Sequence, residues 1–143
     1  MNELNRQGMI VLLSGRGSNY QALHQAQEEG RLGGRILGVL SDQPNAPGLA
    51  RARENQTPAE CIDRSRYAER SDFESSLTQA IAQSGAYWIV LAGFMRVLSA
   101  EFTNHHAGRI INIHPSLLPR HRGLNTHQRV IDAGDPEHGA SVH

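Results

Sequence analysis

The chain has 143 residues, the size of one typical domain, and is long enough to bury a core of its own. Its 14 lysines and arginines balance 14 aspartates and glutamates, which excludes the electrostatic footprint of a nucleic-acid or anionic-membrane binder and leaves any anion to be held by local geometry. A single cysteine excludes an intramolecular disulfide and fits a reducing cytoplasm, and no apolar run approaches the ~20 residues of a membrane span.

Short apolar runs alternate with helical stretches. Residues 9–13 predict a strand and 18–29 a helix, with Ala22, Leu23 and Ala26 at helical spacing and Gly30 after its end. Residues 36–40 predict a second strand, the turn-rich segment 42–48 leads into a short helix over 49–54, and 59–62 a weak third strand in which Cys61 reads as a small buried hydrophobe. Ser71-Asp72-Phe73-Glu74 has the spacing of a capping box, Phe73, Leu77 and Ile81 share a helix face, and Gly85 follows. Residues 87–92 form the run expected of the most buried strand. A short helix near 99–105, a strand at 109–113, a helix near 126–133 and a last strand from about Gly139 complete the pattern. Such alternation predicts an α/β fold: an open, mostly parallel, Rossmann-like sheet with helices on both faces, whose ligands collect at the carboxyl ends of the strands.

Three strand ends carry chemistry. In Ser14-Gly15-Arg16-Gly17-Ser18-Asn19 the glycines let backbone N–H groups approach an oxyanion at a helix amino terminus, and Ser18 and Asn19 add donors. It is neither a Walker loop nor the dinucleotide fingerprint, and it reads equally as a glycine turn with Ser18 as N-cap. Gly93-Phe94-Met95-Arg96-Val97-Leu98 is more apolar than a solvent loop; a planar organic ligand would explain that, as would packing beneath the next helix, N-capped by Ser99. Strand alternation sends Asn112 and His114 to one face, Ile111 and Ile113 to the other, and Pro115 stops the ladder. An amide donor beside an imidazole suits a site where charge develops on a carbonyl oxygen. Seven of the eight histidines lie at or after His105, yet none has ligand spacing with a matching carboxylate, so no metal is expected.

Taken together in order, SGRGSN, PGLARAR, VLAGFMRVLS, INIHPSLLP and GDPEHGASVH resemble the phosphoribosylglycinamide formyltransferase family over nearly the whole chain. The resemblance implies transfer of a formyl group from 10-formyltetrahydrofolate, as co-substrate, to the amine of glycinamide ribonucleotide in purine synthesis. It implies that Gly17, Ser18 and Asn19 hold the ribonucleotide phosphate, and that Met95, Arg96, Val97 and Leu98 line the folate site with their backbone groups, with Arg70 at the folate's acidic tail. Asn112 would contact the formyl group and stabilise the oxyanion, and His114 would act as general acid. A cytoplasmic enzyme acting on small molecules, monomeric or homodimeric, without nucleic-acid, membrane or metal partners, is expected.

Two departures stand out. Asn125 occupies a position where the family often has histidine, and Pro119–Gly123 is close to methionyl-tRNA formyltransferase, which shares the Asn-x-His pair; against that alternative stand SGRGSN and the lack of a basic surface for tRNA. Family sequences continue past the position of His143 through an aspartate that partners the histidine. The chain is therefore expected to be a single formyltransferase domain over 1–143, incomplete at its carboxyl end and inactive alone, or a non-catalytic nucleotide- and folate-binding piece.

Overall fold

The structure, a computed structural model, describes residues 7–114 and 141–142. Its strands are β1 (Gly8–Leu13), β2 (Arg35–Ser41), β3 (Ala59–Cys61), β4 (Trp88–Ala92), β5 (Ile110–His114) and β6 (Ser141–Val142); its helices are α1 (Ser18–Glu28), α2 (Pro47–Glu54), α3 (Arg70–Ser84) and α4 (Ala100–His105). They form one sheet in the order β3-β2-β1-β4-β5-β6. All pairings are parallel except β5 with β6. The helix expected near 126–133, Asn125 and the 119–123 loop lie outside the described residues.

Strand alternation divides the apolar residues into two cores. Ile10 and Leu12 of β1 join Ile89 and the α3–α4 residues Phe73, Leu77, Ile81 and Phe102 on one face. Val11 and Leu13 join Val39, Val90 and the α1–α2 residues Tyr20, Leu49 and Ala52 on the other. A strand covered on both faces needs apolar side chains at every position, which is why β1 reads as an unbroken run. The most buried strand is β1 rather than β4: Ile10, Val11, Leu12 and Leu13 are all 0–1% exposed, whereas Leu91 of β4 is half-buried. The reason is position, since β1 is central among the five parallel strands.

Helix ends follow local chemistry with two corrections. Gly85, at φ 77°, terminates α3 as its position predicts, and Ser99 caps α4 by accepting from the Phe102 N–H at 3.1 Å. The capping box at Ser71 does not form. Helix α3 starts two residues earlier than that box requires, after Glu69, with no side-chain cap. Glu74, buried inside the helix, instead accepts from the Ser99 N–H at 2.8 Å and Ser99 Oγ–H at 2.5 Å, so its carboxylate meets the amino end of α4 rather than of its own helix. Likewise Gly17, at φ 75°, and not Ser18, occupies the N-cap of α1. Cys61 is half-buried on β3 rather than buried; desolvation and the neighbouring Asp63 and Asp42 carboxylates push its thiol pKa up.

Candidate active site

Chain order reverses about β1. The units through β2 and β3 grow to one side, and α3 then carries the chain across to β4 on the other. The loops leaving β1 and β4 therefore diverge and open a crevice at the carboxyl edge of the sheet. A cavity of about 270 Å³ lies there, lined by Ser14 to Asn19 on one side and by Ala92, Gly93 and Met95 on the other.

The β1 side is shaped by close backbone approach. A Cβ on Gly17 would sit 2.8 Å from Gly48 Cα, and one on Gly48 would sit 2.7 Å from both Leu13 methyls. The Gly48 N–H donates to the Gly15 carbonyl at 3.0 Å. Thus the turn of SGRGSN is packed on the first turn of PGLARAR, where Pro47 begins α2. The first-turn N–H groups of α1 have no intrahelical acceptor, and α1 has no acidic residue in that turn. The result is a concave donor surface suited to an anion.

The β4 side divides by residue. Phe94 and Leu98 pack against the α3–α4 core, while Met95 is 62% and Val97 81% exposed. The loop is pinned from beneath by a group whose role the sequence did not suggest: Asp42, at the carboxyl end of β2, 1% exposed. Its Oδ1 accepts from Ser14 Oγ–H at 2.6 Å, and its Oδ2 from Arg96 Nε–H at 2.6 Å and Gln43 Nε2 at 3.3 Å. Ser14 Oγ in turn accepts the Met95 N–H at 2.8 Å, and the Ser14 N–H donates to Gly93 O at 3.1 Å. Hence the Met95 N–H turns inward, contrary to the expectation that it faces a ligand. The signal that could have found Asp42 is an acid directly following an apolar parallel strand at its carboxyl end.

Asn112 sits on β5 in register with Leu91, half-buried, with Ile113 packed on the α1–α2 core and Ile110 on the opposite one. Asn112 therefore shares the α3–α4 face of the sheet with Ile110. His114 ends β5 opposite Ser141, and its side chain lies outside the described residues. Of the sequence candidates, the cavity brings together Gly17, Ser18, Asn19 and Met95; Arg96, Val97, Leu98 and Asn112 belong to the adjoining strand ends without lining it. Arg70 is exposed at the first position of α3 and does not line the crevice cavity. A second cleft of about 270 Å³ between α3 and α4 contains none of the candidates. Among the described residues no three His, Cys, Asp or Glu side chains come together, and no helix is long and apolar enough to cross a membrane.

The order of strands and the crevice at the β1/β4 reversal define a Rossmann-like α/β protein with a cavity at the carboxyl edge of its sheet. Within that class, residues 7–143 match the family model described as formyl transferase, and the chain belongs to this family. It is 42% identical over 135 residues to phosphoribosylglycinamide formyltransferase of Escherichia coli, a match covering 94% of this chain and 64% of that protein. It is 40% identical to the trifunctional purine biosynthetic protein adenosine-3 of Drosophila melanogaster, over 96% of this chain and 10% of that one. The solved phosphoribosylglycinamide formyltransferase of Coxiella burnetii superposes with a TM-score of 0.91 at 46% identity, covering 96% of this chain and 65% of that one. The chain thus spans somewhat under two thirds of the length of these two bacterial relatives.

Proposed function

We propose that this chain belongs to a cytoplasmic enzyme of purine biosynthesis that transfers a formyl group to the amine of glycinamide ribonucleotide. The observation that carries this reading is the crevice cavity: Gly17, Ser18 and Asn19, which the family resemblance assigns to a phosphate, line it opposite Gly93 and Met95 of the loop assigned to folate. Bound 10-formyltetrahydrofolate would supply the formyl group. The exposed Met95 and Val97 side chains suit the apolar face of its planar heterocycle. Asn112 would donate its amide hydrogen to the carbonyl oxygen as the amine attacks, and His114 would hold the proton destined for the leaving nitrogen. Arg70, Arg96 and Leu98 complete the folate-side assignment, with Arg70 directed to the acidic tail. Balanced charge favours a small-molecule acceptor over a tRNA.

Calorimetric titration with glycinamide ribonucleotide and its dephosphorylated counterpart tests the phosphate assignment. The phosphorylated ligand is expected to bind at least about tenfold more tightly, the worth of one charge-assisted hydrogen bond. Formyl transfer, followed by absorbance of the folate product beside the Escherichia coli relative as control, is expected to fall about 100- to 1000-fold in Asn112→Ala. Equal binding of the two ligands, or unchanged transfer in that variant, would overturn the reading. Phosphate-dependent binding without transfer would establish a second one, a binding chain without turnover.

A further inference from the structure

The resemblance gives no role to Asp42, yet its carboxylate reaches both walls of the crevice: it orients the Ser14 hydroxyl that accepts the Met95 N–H, and it accepts directly from Arg96. We infer that Asp42 is a positioning residue: it holds the β4 loop, residues 93–98, in place against the β1 turn and thereby sets the geometry of the second substrate's subsite without itself touching a ligand. What that loop binds rests on the function proposed above.

The inference follows from donor and acceptor counting. A carboxylate offers acceptors on both oxygens, and here both are used. Oδ1 takes the Ser14 hydroxyl hydrogen, which leaves the lone pairs of that hydroxyl for the Met95 N–H; Oδ2 takes the Arg96 Nε–H. The loop is therefore held at two consecutive residues, once through backbone and once through side chain. Burial matters as much as geometry. The Asp42 side chain is 0% exposed whereas that of Arg96 is 41% exposed, so the anchor is fixed in the core while the residue it holds reaches the surface. A loop held this way is ordered before its ligand arrives, so that loosening it is read as weaker binding. The neighbouring residues leave no substitute for it: Gln43 is a donor to Oδ2, and among the described residues the only other acid bonded to this loop is Glu74, at Ser99 beyond its end.

Asp42→Asn keeps the shape but removes the charge that holds Arg96, and its amide nitrogen can reverse the bond to the Ser14 hydroxyl without reproducing it. In the protein without substrates, amide hydrogen exchange over residues 94–98 is expected to quicken about tenfold or more, while the amides of β1 stay as slow as before. Ser14→Ala, which removes the other limb and is small enough to leave the sheet intact, is expected to loosen the same segment. With substrates, Asp42→Asn is expected to raise KM for the formyl donor about 10- to 100-fold and to alter kcat less than threefold. Unchanged exchange over 94–98 in both variants overturns the proposal, as does faster exchange spread evenly through β1 or a fall in kcat with KM unchanged. Loop loosening in a protein whose parent form binds no folate at all would uphold the positioning role and sink the functional reading.

Discussion

His106 illustrates how one side chain ties stability to pH. It is 3% exposed at the end of α4, its Nε2 lies 3.1 Å from Thr78 Oγ1, and its Nδ1 has no partner among the described residues. Burial, then the nearby His105 and Arg109 charges, lower its pKa from 6.5 to about 4. The unfolded chain therefore binds this proton at a higher pH than the folded one, so the stabilisation is whole above pH 6.5 and is lost as pH falls toward 4. At 1.36 kcal/mol per unit the loss is at most about 3 kcal/mol. Urea unfolding at pH 7 and at pH 4.5 should show His106→Gln with a smaller pH dependence than the parent; an equal dependence would remove His106 as the cause. At this scale the sequence was partly legible. Gly17, Ser18 and Asn19 stand out as a glycine turn with polar donors at a strand end, and they do line the crevice, whereas the roles of Asp42 and Glu74 do not stand out. Their partners are distant in sequence: Arg96 for Asp42 and Ser99 for Glu74, so nearest-neighbour rules assigned Glu74 to a box at Ser71 that the helix does not use.

Elements were more legible because period and punctuation are local. Phe73, Leu77 and Ile81 are buried as their spacing requires, and every strand expected within the described residues is present with ends displaced by one or two positions. The contact between the β1 turn and α2 was not legible, since it depends on what two glycines do not carry. That contact makes a prediction. In Gly48→Ala the new methyl would lie 2.7 Å from both methyls of the fully buried Leu13 and 3.1 Å from the Gly15 carbonyl. Overpacking of this kind costs about 1–3 kcal/mol. A lowered Tm together with weaker phosphate-dependent binding is expected, whereas Gly15→Ala, with nothing within 4 Å of its Cβ, should leave Tm nearly unchanged. If Gly48→Ala melts with the parent, the turn is looser than its packing indicates.

Across the whole molecule, fold class was legible from alternation alone, but strand order was not, because nothing in the β1 run names β4 as its neighbour. The order has a measurable signature: amides of β1 and β4, flanked on both sides and covered on both faces, should exchange with solvent most slowly, and those of the three-residue edge strand β3 much sooner. Uniform protection across the sheet would contradict it. The same order bears on how the protein is made. Ser14 meets Met95 across 81 residues and Asp42 meets Arg96 across 54, while β1 and β2 are joined through α1 alone. A chain leaving the ribosome can close the β1–β2 unit early, but the opposite wall of the crevice does not yet exist. Its first glycine turn is thus synthesised long before the loop that faces it, and closing those long spans is the entropic cost that places assembly of the crevice late in folding.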